Sequence, residues 1–278
     1  MKIAGHGIAV CSWSLQPANM AELVAKVRKL GLSDLQLGLV DLLHLDDKRK
    51  HLELGCLRAS GITLISAMIS FPGEDYSTIA DIRRTGGFVP DDQWMLRRRL
   101  AREAARLAGE LGINSVSTHV GFVPVPTDPG YALIRDRVRM VAEDFAAFGV
   151  ELYMETGQER AGELLEFLGD LKAANVHINF DPANMILYGA GDPIEAIRTL
   201  KAHIRHVHVK DATASSKPGE AWGAEVAFGT GQVNPCLFLD ALKNAGYPGP
   251  LTIEREAGMD RISDVRSAIH ALERAGNA

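Results

Sequence analysis

The run Arg205-His206-Val207-His208-Val209-Lys210-Asp211 carries the densest chemistry in this chain. Side chains alternate along a strand, so His206, His208 and Lys210 share one face while Arg205, Val207 and Val209 share the other. Three nitrogen-bearing side chains on one face do not make an apolar core. Followed by a Gly-rich loop, they predict an interior that turns polar at one rim; a His-rich edge strand facing water is the competing reading. His119, Glu155, Asp181 and Glu254 close four other strand-like segments. Clustered carboxylates repel one another unless a cation or a proton neutralises them. A divalent ion is the economical answer, held by Glu155, Asp181, His208 and Glu254. Three carboxylates and one imidazole suit manganese first, with cobalt, magnesium and zinc also compatible, and no thiolate joins them to favour zinc. His208 is preferred to His206 as the ligand because it lies nearer the C-terminal end of its strand. Lys210 lies further out, where it could hold a substrate oxygen or phosphate.

The elements that position these groups follow from the pattern. Residues 8–13, 34–39, 62–69, 115–119, 150–155, 176–181, 204–210 and 251–254 read as strands. Helical periodicity covers 19–30, 46–60, 92–111, a stretch ending at 148, 161–174, 193–201, 234–245 and 262–275. Eight alternations without a break in composition predict an α/β fold, a single-domain (β/α)8 TIM barrel over residues 1–278, with a doubly wound sheet as the alternative. In such a barrel the C-terminal strand ends form the active site. Residues 70–91, with Pro72, Gly73, Gly86, Gly87 and Pro90, read as a long connection and a lid rather than a linker. A second long loop runs to Val233. Arg97-Arg98-Arg99 reads as a solvated helix face.

Composition narrows the partners. Of 278 residues, thirty are basic and thirty-five acidic, giving −5, and no basic stripe appears, so nucleic-acid binding is not expected. Cys11, Cys56 and Cys236 are odd in number and widely spaced, which argues for a reducing compartment and against a disulfide framework. The N-terminus lacks the pattern of a signal peptide and no apolar run is long enough to span a bilayer, so a cytoplasmic protein without a membrane partner is expected. Homo-oligomerisation is left open.

Several motifs carry a family resemblance. Tyr153-Met-Glu-Thr-Gly157, Asn179-Phe-Asp-Pro-Ala-Asn184, His206-Val-His-Val-Lys-Asp211, Phe228-Gly-Thr-Gly-Gln-Val-Asn234 and Gly246-Tyr-Pro-Gly-Pro-Leu-Thr-Ile-Glu254 resemble the sugar phosphate isomerase/epimerase superfamily of xylose isomerase-like TIM barrels, related to endonuclease IV. The resemblance spans essentially the whole chain and is specific for the superfamily but not for the substrate. It implies one metal on Glu155, Asp181, His208 and Glu254, with Glu155 and Glu254 also serving as acid and base on opposite faces of the substrate. A metal on a carbonyl and its neighbouring hydroxyl acidifies the proton between them and stabilises the enediolate. A glutamate then removes and returns that proton. Return to the neighbouring carbon isomerises, and return to the other face epimerises. The expected substrate is a sugar, a sugar phosphate or a related hydroxy-carbonyl compound.

The chain departs from the ketose 3-epimerases of that superfamily. Asn184 stands where they carry a histidine, and Ala214 where they carry an arginine. Both groups are thought to position substrate there, which counts against a free-ketose epimerase. His119 is expected to hydrogen-bond a substrate hydroxyl, and Trp13 to stack on a sugar face or pack in the barrel. Asn184 and His206 complete the expected substrate contacts, and Gln36 is expected to support the site. Glu256 shares the parity of Glu254, but the Gly-Tyr-Pro-Gly lead-in favours Glu254 as ligand. Gly229 and Gly231 give their loop its turn, and Trp222 could close over the site. Rival functions are a sugar or inosose dehydratase or lyase, an endonuclease IV-like phosphodiesterase, and a metal-free binding barrel.

Overall fold

In the computed structural model, which describes residues 1–277, eight parallel strands close on themselves. They are β1 (His6–Cys11), β2 (Asp34–Gly38), β3 (Thr63–Met68), β4 (Ser115–Thr118), β5 (Glu151–Glu155), β6 (Val176–Phe180), β7 (Ile204–Val209) and β8 (Leu251–Ile253). Each pairs with its sequence neighbours, and β8 pairs with β1, so the sheet has no free edge. This is the expected single-domain TIM barrel; Ala278, the last residue of the expected domain, lies outside the described residues. The capping chemistry is local. Asn19, Asp46, Asp192 and Asn234 each accept a backbone N–H in the first turn of the helix they precede. Pro193 and Pro235 sit where a helix has no use for the missing N–H.

Alternation along the strands separates two interiors. Val10, Leu35, Leu37, Val207, Val209, Leu251 and Ile253 point outward and are fully buried against the helices, forming the apolar core. The opposite faces point into the barrel, where bulky aliphatics usually fill the space. Here Cys11, Gln36, Ser66, Ser117, Asn179, His206, His208 and Thr252 occupy it, all buried. Buried polar groups need partners. Gln36 Nε2 donates to Ser117 Oγ at 3.4 Å, and His206 Nε2 lies 2.7 Å from Thr252 Oγ1. Two register shifts, at Leu35/Gln36 and Ile178/Asn179, immediately precede the two inward amides. Such bulges re-aim the side chain that follows.

Several expectations are corrected. The first strand stops at Cys11, and Ser12–Leu15 turns as a 3-10 helix, taking Trp13 off the strand. The connection over 70–91 contains a helix, Ile79–Thr85, capped by Thr78, whose Oγ1 accepts from Asp81 N. Residues 182–188 also form a helix, with Asp181 as its cap and Pro182 in its first turn. The loop to Val233 contains a two-stranded hairpin, Asp211–Thr213 against Ala224–Val226. Arg97 does not face solvent. It is 1% exposed and donates to the carbonyls of Pro72, Thr85 and Gly87, fastening the 70–91 segment to its helix. Among the described residues, no helix is long and apolar enough to cross a membrane.

Candidate active site

Strand order brings β5, β6, β7 and β8 side by side, so their C-terminal ends converge. Glu155, Asp181, His208 and Glu254 each offer a ligand atom within 4.8 Å of the others, and all four are buried. His208 Nδ1 lies 3.0 Å from Glu155 Oε1, 3.3 Å from Glu254 Oε2 and 3.6 Å from Asp181 Oδ2. Its other nitrogen, Nε2, lies 2.6 Å from Gln36 Oε1. That oxygen can only accept, so Nε2 carries the hydrogen and Nδ1 faces the carboxylates. Asp181 divides its labour. Oδ1 caps the 182–188 helix by accepting from Asn184 N at 2.9 Å, while Oδ2 is buried without a hydrogen-bond partner.

Two basic side chains, Lys210 and His208, offset part of the carboxylate charge. Lys210, 2% exposed, donates to Glu254 Oε2 at 2.9 Å and Glu256 Oε2 at 2.5 Å, with Asp181 Oδ2 at 3.8 Å. Burial opposes the charge on Glu254, but Lys210 and His208 outweigh it and hold the carboxyl well below its ordinary value. Burial likewise opposes a cationic His208, and the charge of Glu254 outweighs it and raises the imidazole well above its usual range. Asp181 is pushed up by burial despite Lys210. Carboxylates this close, two of them (Glu155 and Asp181) with a buried oxygen that has no hydrogen-bond partner, beside an imidazole whose tautomer is fixed from behind, fit a hard divalent cation. Cys11 lies 3.7 Å from His208 Nε2, behind the ring; burial pushes its thiol up to about 12, and with His208 and Glu254 it forms a second, smaller buried group of ligand atoms.

The remaining candidates separate. His119 Nε2 lies 3.1 Å from Glu155 Oε2, the oxygen that points away from His208. Trp13 Nε1 donates to Glu254 Oε1 at 2.7 Å, a contact not anticipated beside the stacking expected of it. Asn184 Nδ2 donates to Glu155 Oε1 at 3.3 Å, and Gly157 permits this approach: with φ +148, a Cβ there would lie 2.6 Å from Asn184 Cβ. Lys210 is spent on carboxylates rather than free for a phosphate. His206 lies deeper, 2% exposed between Thr252 and Ser66, beneath the site rather than at its mouth. Glu256 pairs with Lys210 and stands outside the four-residue cluster. The amides of Gly229 and Gly231 donate to Asp211 Oδ2, so a carboxylate of the chain fills the position an anion would need. The carboxylate of Asp211, not foreseen from the sequence, shapes that whole loop; its direct succession to Lys210 was the available signal. Trp222 Nε1 donates to Tyr76 O and its ring packs edge-on against Tyr188, joining the two long connections.

Residues 24–275 match the family model described as xylose isomerase-like TIM barrel. Among solved structures, the chain is similar to a xylose isomerase domain protein from Planctomyces limnophilus, at 32% identity and TM-score 0.87 over 98% of this chain and 96% of that one. It shares its fold with a xylose isomerase-like TIM barrel protein from Mycobacterium smegmatis in complex with magnesium, at 18% identity and TM-score 0.72 over 99% of each chain. It also shares its fold with an L-ribulose 3-epimerase, at 20% identity and TM-score 0.71 over 96% and 95%. The matched segments span 57% and 36% of two uncharacterized curated relatives, from Methanocaldococcus jannaschii and Escherichia coli. With nearly its whole length matched by the model and its barrel closed in the same way, the chain belongs to the xylose isomerase-like TIM barrel family.

Proposed function

We propose that this protein is a metal-dependent isomerase or epimerase of a sugar or related hydroxy-carbonyl compound. The observation that carries the reading is the buried convergence of Glu155, Asp181, His208 and Glu254 from four adjacent strands. Those four residues would hold one divalent ion, which when bound supplies Lewis-acid polarisation of a carbonyl and its neighbouring hydroxyl. Manganese is the first choice for a hard, mixed oxygen–nitrogen donor set, with magnesium, cobalt and zinc as alternatives.

The chain supplies the proton chemistry. Glu254, hydrogen-bonded by Lys210 and by the Trp13 indole, is oriented and unprotonated, and takes the role of base. Glu155 accepts from Asn184 and lies against His208 through one oxygen, while His119 Nε2 stands 3.1 Å from the other. It serves as the partner that returns a proton from the opposite face, and His119 can also hydrogen-bond a substrate hydroxyl. Burial of both glutamates keeps water away from the carbon that has lost its proton. A dehydratase would begin with the same proton abstraction, and the fate of the neighbouring hydroxyl separates the two.

The test is solvent-deuterium incorporation into a panel of keto-sugars with manganese-supplemented protein. Deuterium on the carbon next to the carbonyl, absent with Glu155→Gln or Glu254→Gln, is the expected result. Incorporation that survives in either variant removes that glutamate from the reaction, and loss of water from the substrate transfers the site to a dehydratase.

A further inference from the structure

A cavity of about 490 Å³ opens over the ends of β1, β2 and β3, on the side of the barrel mouth away from the four-residue cluster. Trp13 and Glu256 line it and join it to the cluster, since one donates to Glu254 and the other pairs with Lys210. Its volume lies in the range of sites that enclose a small organic ligand, about 300–1,000 Å³. Met20, Leu23, Leu42, Leu45 and Met68 supply an apolar wall.

The charge of the lining selects against anions. Asp41, Glu53 and Glu256 face the cavity with Arg49 as the one cation among its lining residues. The helix Met20–Lys29 starts here, and a helix N-terminus is where a phosphate would bind. Its position is already taken by carboxylates: Ala18 N donates to Glu22 Oε2 and Met20 N to Glu53 Oε2, both at 2.7 Å. A phosphate would meet Asp41, Glu53 and the Lys210-paired Glu256 against one exposed guanidinium, with the first amide of the helix already taken by Glu53.

We infer that the substrate is an uncharged hydroxy-carbonyl sugar bearing an apolar substituent, with the substituent seated against Met20, Leu45 and Met68 and the reacting end at the glutamates. This rests on the isomerase reading above for the sugar core. The cavity itself carries the substituent and favours an uncharged sugar over a sugar phosphate.

Three probes that differ only at O6 test it: D-fructose, 6-O-benzyl-D-fructose and D-fructose 6-phosphate, titrated calorimetrically into manganese-supplemented protein. The benzyl ether is expected to bind about tenfold more tightly than fructose, the effect of removing roughly 60 Å² of apolar surface from water. The phosphate is expected to bind more weakly than fructose. Leu45→Asp, at a partly exposed position, should erase the benzyl advantage. Tightest binding of the phosphate, lost in Arg49→Ala, overturns the inference, as do equal affinities or no heat with any probe. Deuterium incorporation is followed in the same samples. A benzyl preference without incorporation rejects the proton-transfer reading and keeps the cavity assignment, whereas incorporation with a phosphate preference does the reverse.

Discussion

The two halves of the barrel mouth are built from opposite materials. The ends of β5 to β8 carry Glu155, Asp181, His208, Lys210 and Glu254, all buried and tied to one another by charge. The ends of β1 to β3 carry an open cavity walled by leucine and methionine, with the Met20 amide at the start of its helix already taken by Glu53. On the proposed function, one half moves protons and the other holds the substrate still. Changes in the first should therefore alter turnover and metal binding, and changes in the second should alter affinity alone.

The largest expected effect is in the charged half. Glu155→Gln keeps the shape and removes the proton carrier, so kcat should fall by roughly 10²- to 10⁴-fold. A fall confined to KM would break the division. Next is Gln36→Leu, which removes the acceptor behind His208 without touching the four ligands. Its metal affinity, followed by competition with a chromophoric chelator, should drop by about 10- to 100-fold. Leu45→Ala in the cavity should raise KM by about threefold to tenfold with kcat nearly constant, through the lost apolar contact. An equal loss in kcat would show that the cavity also orients the reacting end.

A further effect is on stability rather than on turnover or affinity. Glu159, in the loop after β5, accepts from Val123 N at 2.9 Å and is buried; burial pushes its carboxyl up to about 7. A group raised above its unfolded value binds more protons folded than unfolded, so stability is lost as pH rises from about 4.5 to about 7. Glu159→Gln keeps an oxygen acceptor and cannot ionise. Its unfolding free energy should match the wild type near pH 4.5 and exceed it at pH 8 by on the order of 2–3 kcal/mol. A constant difference across that range would place the carboxyl in a solvated environment.

The charged half was readable in the sequence because its signal is residue type at a strand end. Glu155, Asp181, His208 and Glu254 are ionisable residues where apolar ones are ordinary, and the eight-strand count places them on one rim. Gln36 was readable for the same reason, as an amide on an inward face. The apolar half was not readable. Met20, Leu45 and Met68 have the composition of any core, and only the three-dimensional gap beside them makes a cavity. The helix at 79–85 was hidden by flanking glycines and prolines, although Thr78 and Asp81 carry its cap. Arg97 was misread because side-chain type alone does not reveal three backbone carbonyls waiting at the end of a guanidinium.

Four buried residues from adjacent strands are proposed to hold one divalent ion. Elemental mass spectrometry of protein purified without chelator, beside Asp181→Asn, measures this. About one ion per chain is expected in the wild type and none in the variant. Two or three ions would point instead to phosphoester hydrolysis. No ion in the wild type, even after manganese has been supplied and excess removed, would contradict the claim.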